Sequence, residues 1–137
     1  MATQVLCAKG HRRSGRIRDI AREFASTGDL GSCPDCGTKW RLFLKQVYPK
    51  YGKKEYSYEV VKAIQLHSPA LVEEEHYDPF IFVVKAIGDD VRPDKKGVRV
   101  LWFPYWTYDR KQRWAFGQYP AMVNEELFLA GLKKLER

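Results

Sequence analysis

The chain has 137 residues but only one asparagine, three cysteines and two methionines, and it has no apolar run long enough to cross a bilayer. Its longest such stretch, Pro79-Phe80-Ile81-Phe82-Val83-Val84, is far too short for a membrane span, so no membrane partner is expected. The opening Met1-Ala2-Thr3-Gln4-Val5-Leu6 lacks the basic-then-apolar layout of a secretory leader, and a cytoplasmic location is expected. Internal repeats and low-complexity segments are missing too. So are a Gly-rich phosphate loop, a serine-nucleophile motif and a His-x-x-x-His helix, which removes several common enzyme classes. What is present is enough for a core: 45% of residues are hydrophobic and 14% aromatic, in a chain of one-domain size.

The scarce cysteines are concentrated. Cys7 and His11 are separated by three residues, and Cys33 and Cys36 by two, in the run Cys33-Pro34-Asp35-Cys36-Gly37. Zinc has no geometric preference of its own and is held in structural sites by four sulfur or nitrogen ligands in a tetrahedron. Two ligand pairs on short turns supply that. Pro34 fixes φ early in one turn, and Gly37 and Gly10 supply bends. A redox Cys-x-x-Cys and three unrelated buried thiols are the alternatives. A redox motif belongs in a βαβ context, whereas Cys36 leads through Gly37-Thr38 into a strand-like run. With His11 as a fourth ligand, the expected cofactor is a structural Zn²⁺ on Cys7, His11, Cys33 and Cys36, with no open position for catalysis.

The Cys-x-x-Cys-Gly turn resembles the knuckle of zinc-ribbon and treble-clef modules. The resemblance covers about the first 45 residues and differs in using His in one pair. The 21 residues between His11 and Cys33 also have room for a helix where a ribbon has a hairpin.

Charge is equally localised. The total is +7, but residues 1–54 carry +8 and residues 55–137 carry −1. The surplus centres on Lys9, Arg12, Arg13, Arg16, Arg18 and Arg22, and Lys39, Arg41, Lys45, Lys50, Lys53 and Lys54 can extend it. A localised positive patch is the footprint of a polyanion-binding surface, and guanidinium forks grip phosphates bidentately. The competing reading is a solvated helix face with Asp19 and Arg22 paired one turn apart.

The hydrophobic pattern places the remaining elements. Ile17, Ile20, Ala21 and Phe24 form one stripe of a helix over 16–26, with Ser14 as its cap and Gly28 as its stop. Strands are expected over about 3–6, 40–48, 55–66, 80–87, 98–108 and 114–119, with the second and third forming a hairpin. A final helix over 124–136 has Asn124 as cap and buries Phe128, Leu132 and Leu135. The predicted class is α+β: a mostly antiparallel sheet with an N-terminal zinc-binding module (knuckle, helix, knuckle) and a C-terminal helix. The division is a basic zinc module over 1–48 and an aromatic-rich sheet over 49–137, packed as one unit.

Three further patterns bear on function. Trp102, Phe103, Tyr105, Trp106, Tyr108, Trp114, Phe116 and Tyr119 form an aromatic block. On a strand, Trp102, Trp106 and Tyr108 share one face and Phe103 and Tyr105 the other, which suits a strand covered on both sides better than a base-stacking platform. Pro93-Asp94 followed by Asp109-Arg110-Lys111 matches in form a metal-dependent nuclease pattern, although Arg110 stands where that pattern is apolar. Glu73, Glu74, Glu75, His76 and Asp78 make either a second metal site or a charged strand end. The expected role is binding DNA or RNA through Lys9, Arg12, Arg13, Arg16, Arg18 and Arg22 on the zinc-ordered segment. The alternatives are a zinc-containing protein-interaction or self-associating module, and a nuclease using Asp94, Asp109 and Lys111.

Overall fold

A computed structural model describes residues 2–48, 54–66, 76–87, 97–118 and 123–135. Eight strands and two helices are assigned among them: β1 (Ala2–Leu6), α1 (Ile17–Thr27), β2 (Arg41–Tyr48), β3 (Lys54–Gln65), β4 (Tyr77–Ala86), β5 (Arg99–Trp102), β6 (Pro104–Tyr108), β7 (Trp114–Gln118), β8 (Val123–Asn124) and α2 (Glu125–Leu135). Among the described residues every strand pairing is antiparallel. The α+β class and mostly antiparallel sheet expected from the sequence are therefore observed. The turn at 49–53, Glu73 to Glu75, Asp94 and Tyr119 lie outside the described residues.

β1 to β4 lie side by side in chain order, and β4 then pairs with both β5 and β6. Both pairings share one register: Phe82 faces Trp102 and Pro79 faces Tyr105. The segment 99–108 therefore behaves as the single long strand that its alternation predicts, interrupted only at Phe103. On its far side, β8 borders the β5 half and β7 the β6 half.

α1 covers one face of this sheet. Ile20 and Ala21 from the helix meet Leu42, Leu44, Val60, Ala63, Phe80, Phe82, Val84, Trp102 and Trp106 in one core. A bulge between Val60 and Lys62 resets the alternation, so Val60 and Ala63 both face that core although they are three residues apart. Trp102 and Trp106 share one face, as expected, and that face is the α1 side; Trp106 meets Phe80 edge-on with 5.3 Å between ring centroids. On the other face Val83 and Leu101 are buried, and Phe103 packs on Phe128 of α2 at 5.8 Å.

Two local expectations need correction. The N-cap of α1 is Arg16, with no side-chain cap hydrogen bond, and not Ser14. Gly15, at φ +141, bends the chain after Ser14 and delays the helix start. The stop at Gly28 is as expected: it adopts φ +72 and its N–H donates to the Phe24 carbonyl at 2.8 Å. In α2, Asn124 does cap the helix, accepting from Leu127 N–H at 3.1 Å. The expected stripe is not buried, however. Leu132 and Leu135 are exposed, and only Phe128 is packed.

Among the described glycines, the one in β7 has the least room for a side chain. Gly117 faces Tyr105 across the β6–β7 pair, and a Cβ placed on it would fall onto the Tyr105 ring, within 2.8 Å of the hydroxyl oxygen. Gly117→Ala is expected to destabilise the fold by about 1–3 kcal/mol, the usual cost of overpacking. Adding Tyr105→Ala should recover much of that loss. Equal melting temperatures for wild type and Gly117→Ala would show that the ring moves aside freely.

Candidate metal centre

Each ligand pair sits at the mouth of a narrow loop. Leaving β1, the chain enters the first loop at Cys7, whose carbonyl accepts from Gly10 N–H at 3.0 Å and whose N–H donates to the His11 carbonyl at 3.1 Å. Gly10 makes the bend at φ +84, and a bridge between Leu6 and Arg12 closes the loop. The second loop repeats this arrangement. Gly37 N–H donates to the Cys33 carbonyl at 2.8 Å with φ +72, and a Ser32–Lys39 bridge closes it. Both glycines hold left-handed conformations that L side chains rarely adopt.

The loops face each other. One ligand atom from each of Cys7, His11, Cys33 and Cys36 lies within 4.8 Å of all the others, so the four form a cluster arranged to hold a metal ion. His11 Nδ1 is 3.3 Å from the Cys7 sulfur and 3.5 Å from the Cys33 sulfur. A tetrahedral zinc ion with usual bond lengths puts neighbouring sulfur and nitrogen ligands about 3.5 Å apart, so the donor set and spacing are consistent with zinc. Cys7 and Cys33 are buried, and Cys36 is partly exposed.

Thr38, which the sequence reading did not single out, ties the loops together. Its hydroxyl oxygen accepts from Ala8 N–H at 3.1 Å and lies 3.0 Å from the Cys36 sulfur. His11 N–H points at the Cys7 sulfur at 3.3 Å. Groups of this kind orient ligands and spread thiolate charge. The Thr38 hydroxyl and backbone are the largest influences lowering the Cys36 thiol from its ordinary 9.0 to about 6. Burial pushes Cys33 up. Burial also acts upward on Cys7, but hydrogen bonds from the Lys9 and His11 backbones bring that thiol below its ordinary value. Hydrogen bonding to Cys36 and then Cys7 raises His11.

The arginines of the basic run have diverse roles. Arg13 donates to Glu23 at 2.6 Å and to the Leu30 carbonyl at 3.0 Å, clamping the first loop to α1. Arg18 Nε donates at 2.9 Å to Asp78, which is fully buried and also accepts from Gln65 at 2.8 Å. The Arg18 guanidinium lies 3.7 Å from the Trp114 ring centroid. Lys9, Arg12 and Arg16 are exposed and Arg22 is half-buried, and none of these four forms an ion pair among the described residues. The Asp19–Arg22 pair of a solvated face is not formed among them either.

The other two constellations resolve differently. The Asp109 carboxylate accepts from the Lys111 and Arg113 N–H groups at 2.8 and 3.0 Å and from Arg113 Nε at 3.3 Å, so it caps its own hairpin. Those bonds, the Arg113 backbone first, hold it below the usual carboxylate range. In the acidic cluster, Asp78 is committed to Arg18, and His76 stacks flat on Tyr108 at 3.9 Å. No known protein family, curated protein or solved structure matches this chain.

Purified protein should contain one metal ion per chain by elemental analysis, and His11→Ala or Cys36→Ser should abolish it and lower the melting temperature. Under chelation mild enough to keep the native circular dichroism, iodoacetamide should label Cys36 first, because the thiolate is the nucleophile, and Cys33 last. A folded-state thiol depressed to about 6 contributes stability that is complete above pH 9.0 and is lost as the pH falls through about 6. The labelling rate at Cys36 should stay flat down to about pH 7 and fall only as the pH drops through about 6. Equal labelling of all three cysteines would contradict these couplings.

Proposed function

We propose that this is a zinc-organised nucleic-acid-binding protein, with Zn²⁺ in a structural role on Cys7, His11, Cys33 and Cys36. Zinc fits a closed Cys₃His set with no position left for substrate. One observation carries the nucleic-acid reading: the metal-ligand loop and the free basic side chains belong to the same short piece of chain. Lys9 lies inside the first loop, Arg12 follows ligand His11 and is held by the bridge to Leu6, and Arg16 begins α1. All three side chains are exposed on a backbone tied at several points. Such a row binds phosphates with little base reading, and the +8 carried by residues 1–54 supports it. Arg13 and Arg18 hold the structure together and act only through the others.

Replacing Lys9, Arg12 and Arg16 together with alanine should weaken oligonucleotide binding and reduce the slope of log affinity against log salt by about 2–3, close to one unit per lost phosphate contact. The melting temperature should be unchanged. An unaltered slope and affinity would remove the patch from this reading.

A second reading, a protein-interaction or self-associating module, is favoured by α2. Its Leu127 and Leu135 are 73% and 79% exposed, and Leu129 and Leu132 are also open to solvent. Under that reading the chain sediments as a dimer, and Leu127→Glu with Leu135→Glu restores the monomer. A monomeric wild type at micromolar concentration counts against self-association.

A further inference from the structure

A cleft of about 630 Å³ opens between the first turn of α1 and the β6–β7 hairpin, within the size range of small-molecule sites. Arg16 and Asp19 lie on its α1 side, Trp106 and Phe116 on the sheet side, and Gln112 and Arg113 on the hairpin side. Three features of this cleft decide what it can hold.

The first is its charge. Of the guanidiniums lining it, Arg18 is matched by Asp78 and Arg113 by Asp109. The interior is therefore close to neutral and suits an uncharged planar group better than a phosphate. Arg16, with no ion pair among the described residues, lies where the cleft meets the row Lys9, Arg12 and Arg16.

The second is an open aromatic ring. Trp106 is buried in the core and Trp114 is covered by Arg18, but Phe116 is 43% exposed while its ring packs at 5.3 Å against Trp106. It presents a rigidly backed apolar surface to the cleft.

The third is backbone strain. Asp109 N–H donates to the Arg113 carbonyl at 2.8 Å and Gln112 N–H to the Asp109 carbonyl at 3.0 Å. This is a three-residue hairpin loop whose last residue takes the left-handed conformation, a place normally held by glycine. Here Gln112 holds it at φ +57. A long amide is kept there against the backbone preference, and it lines the cleft. An amide offers both donors and an acceptor, as recognition of a base edge requires.

We infer that the cleft receives one unpaired nucleobase, stacked on Phe116 and met at its edge by Gln112, from a strand whose phosphates run along Lys9, Arg12 and Arg16. This rests on the nucleic-acid reading above and narrows it to single strands. A base inside a duplex would first have to leave its stack, which costs free energy.

The test uses a labelled oligonucleotide and its duplex, in DNA and RNA form, with fluorescence anisotropy at low salt. Wild type should prefer the single strand. Phe116→Ala should weaken single-strand binding about tenfold or more and leave duplex binding unchanged. Gln112→Gly suits the left-handed position, so its melting temperature should be equal or higher while single-strand affinity falls. That variant decides the matter if Phe116→Ala is unstable. Wild-type single-strand affinity in Gln112→Gly, or equal losses on single strand and duplex, overturns the cleft and leaves the phosphate row standing. Absence of binding to every oligonucleotide overturns both.

Discussion

The closure of one long loop by four ligand side chains is the constraint on which the N-terminal half depends. β1 and β2 are neighbours in the sheet, with Leu6 paired to Arg41, yet 34 residues separate them in the chain. Bringing the ends of such a loop together costs about 3 kcal/mol in chain entropy before any contact repays it. Cys7 follows β1 directly and Cys36 precedes β2 by a few residues, so a metal held by the four ligands ties the loop almost at its base. Structural zinc sites contribute roughly 10 kcal/mol or more of apparent folding free energy, well above that closure cost. The remaining excursion, α1, is short enough for its apolar stripe to be laid onto β3 and β4.

That docking has a polar anchor inside the core. Asp78 has no exposure to solvent, and its carboxylate is matched by Arg18 from α1 and Gln65 from β3. A buried pair is weak evidence for net stability, because desolvation offsets most of the attraction. Losing one partner is costly, because the other is stranded. The pair therefore acts mainly on geometry: it fixes the rotation and height of the first turn of α1 relative to β4. Arg18 then extends that fix to Trp114, and so to the wall of the cleft.

The sequence was most legible where the physics is local. The four ligands could be read because short spacing on tight turns is itself the geometric requirement. The α1 stripe, the Gly28 stop, the Asn124 cap and the alternation over 98–108 depend on neighbours within a turn or across one strand. What escaped depends on residues far apart in the chain. Arg18 and Asp78 are 60 positions apart, so a basic side chain read as a phosphate ligand is a core partner. The Val60/Lys62 bulge shows only in the β3–β4 register. Composition showed that arginines were numerous, but it could not sort Arg13 and Arg18, which are consumed internally, from Lys9, Arg12 and Arg16. The α2 leucines failed for a different reason: a helix-period stripe states which side chains share a face and not whether the fold supplies a surface to cover them.

Sorting the arginines this way joins the metal centre to the cleft. Arg16 at the cleft rim comes five positions after ligand His11, and backbone hydrogen bonds from Arg13 to Val5 and from Ile20 to Arg16 bracket that interval. Gly15 lies beside the Ile20 side chain and holds φ +141, a conformation that L side chains rarely adopt. With its entry fixed by the ligand loop and its exit by Gly28, α1 has little freedom to shift. The exposed row Lys9, Arg12 and Arg16 thus leads from the ligand loop to the cleft mouth along backbone held at both ends. A bound strand would then meet a row already in place and would not have to organise a flexible basic tail. Under the proposed function, preorganisation of this kind would lower the entropic cost of binding, and a metal that never touches the strand would still influence affinity.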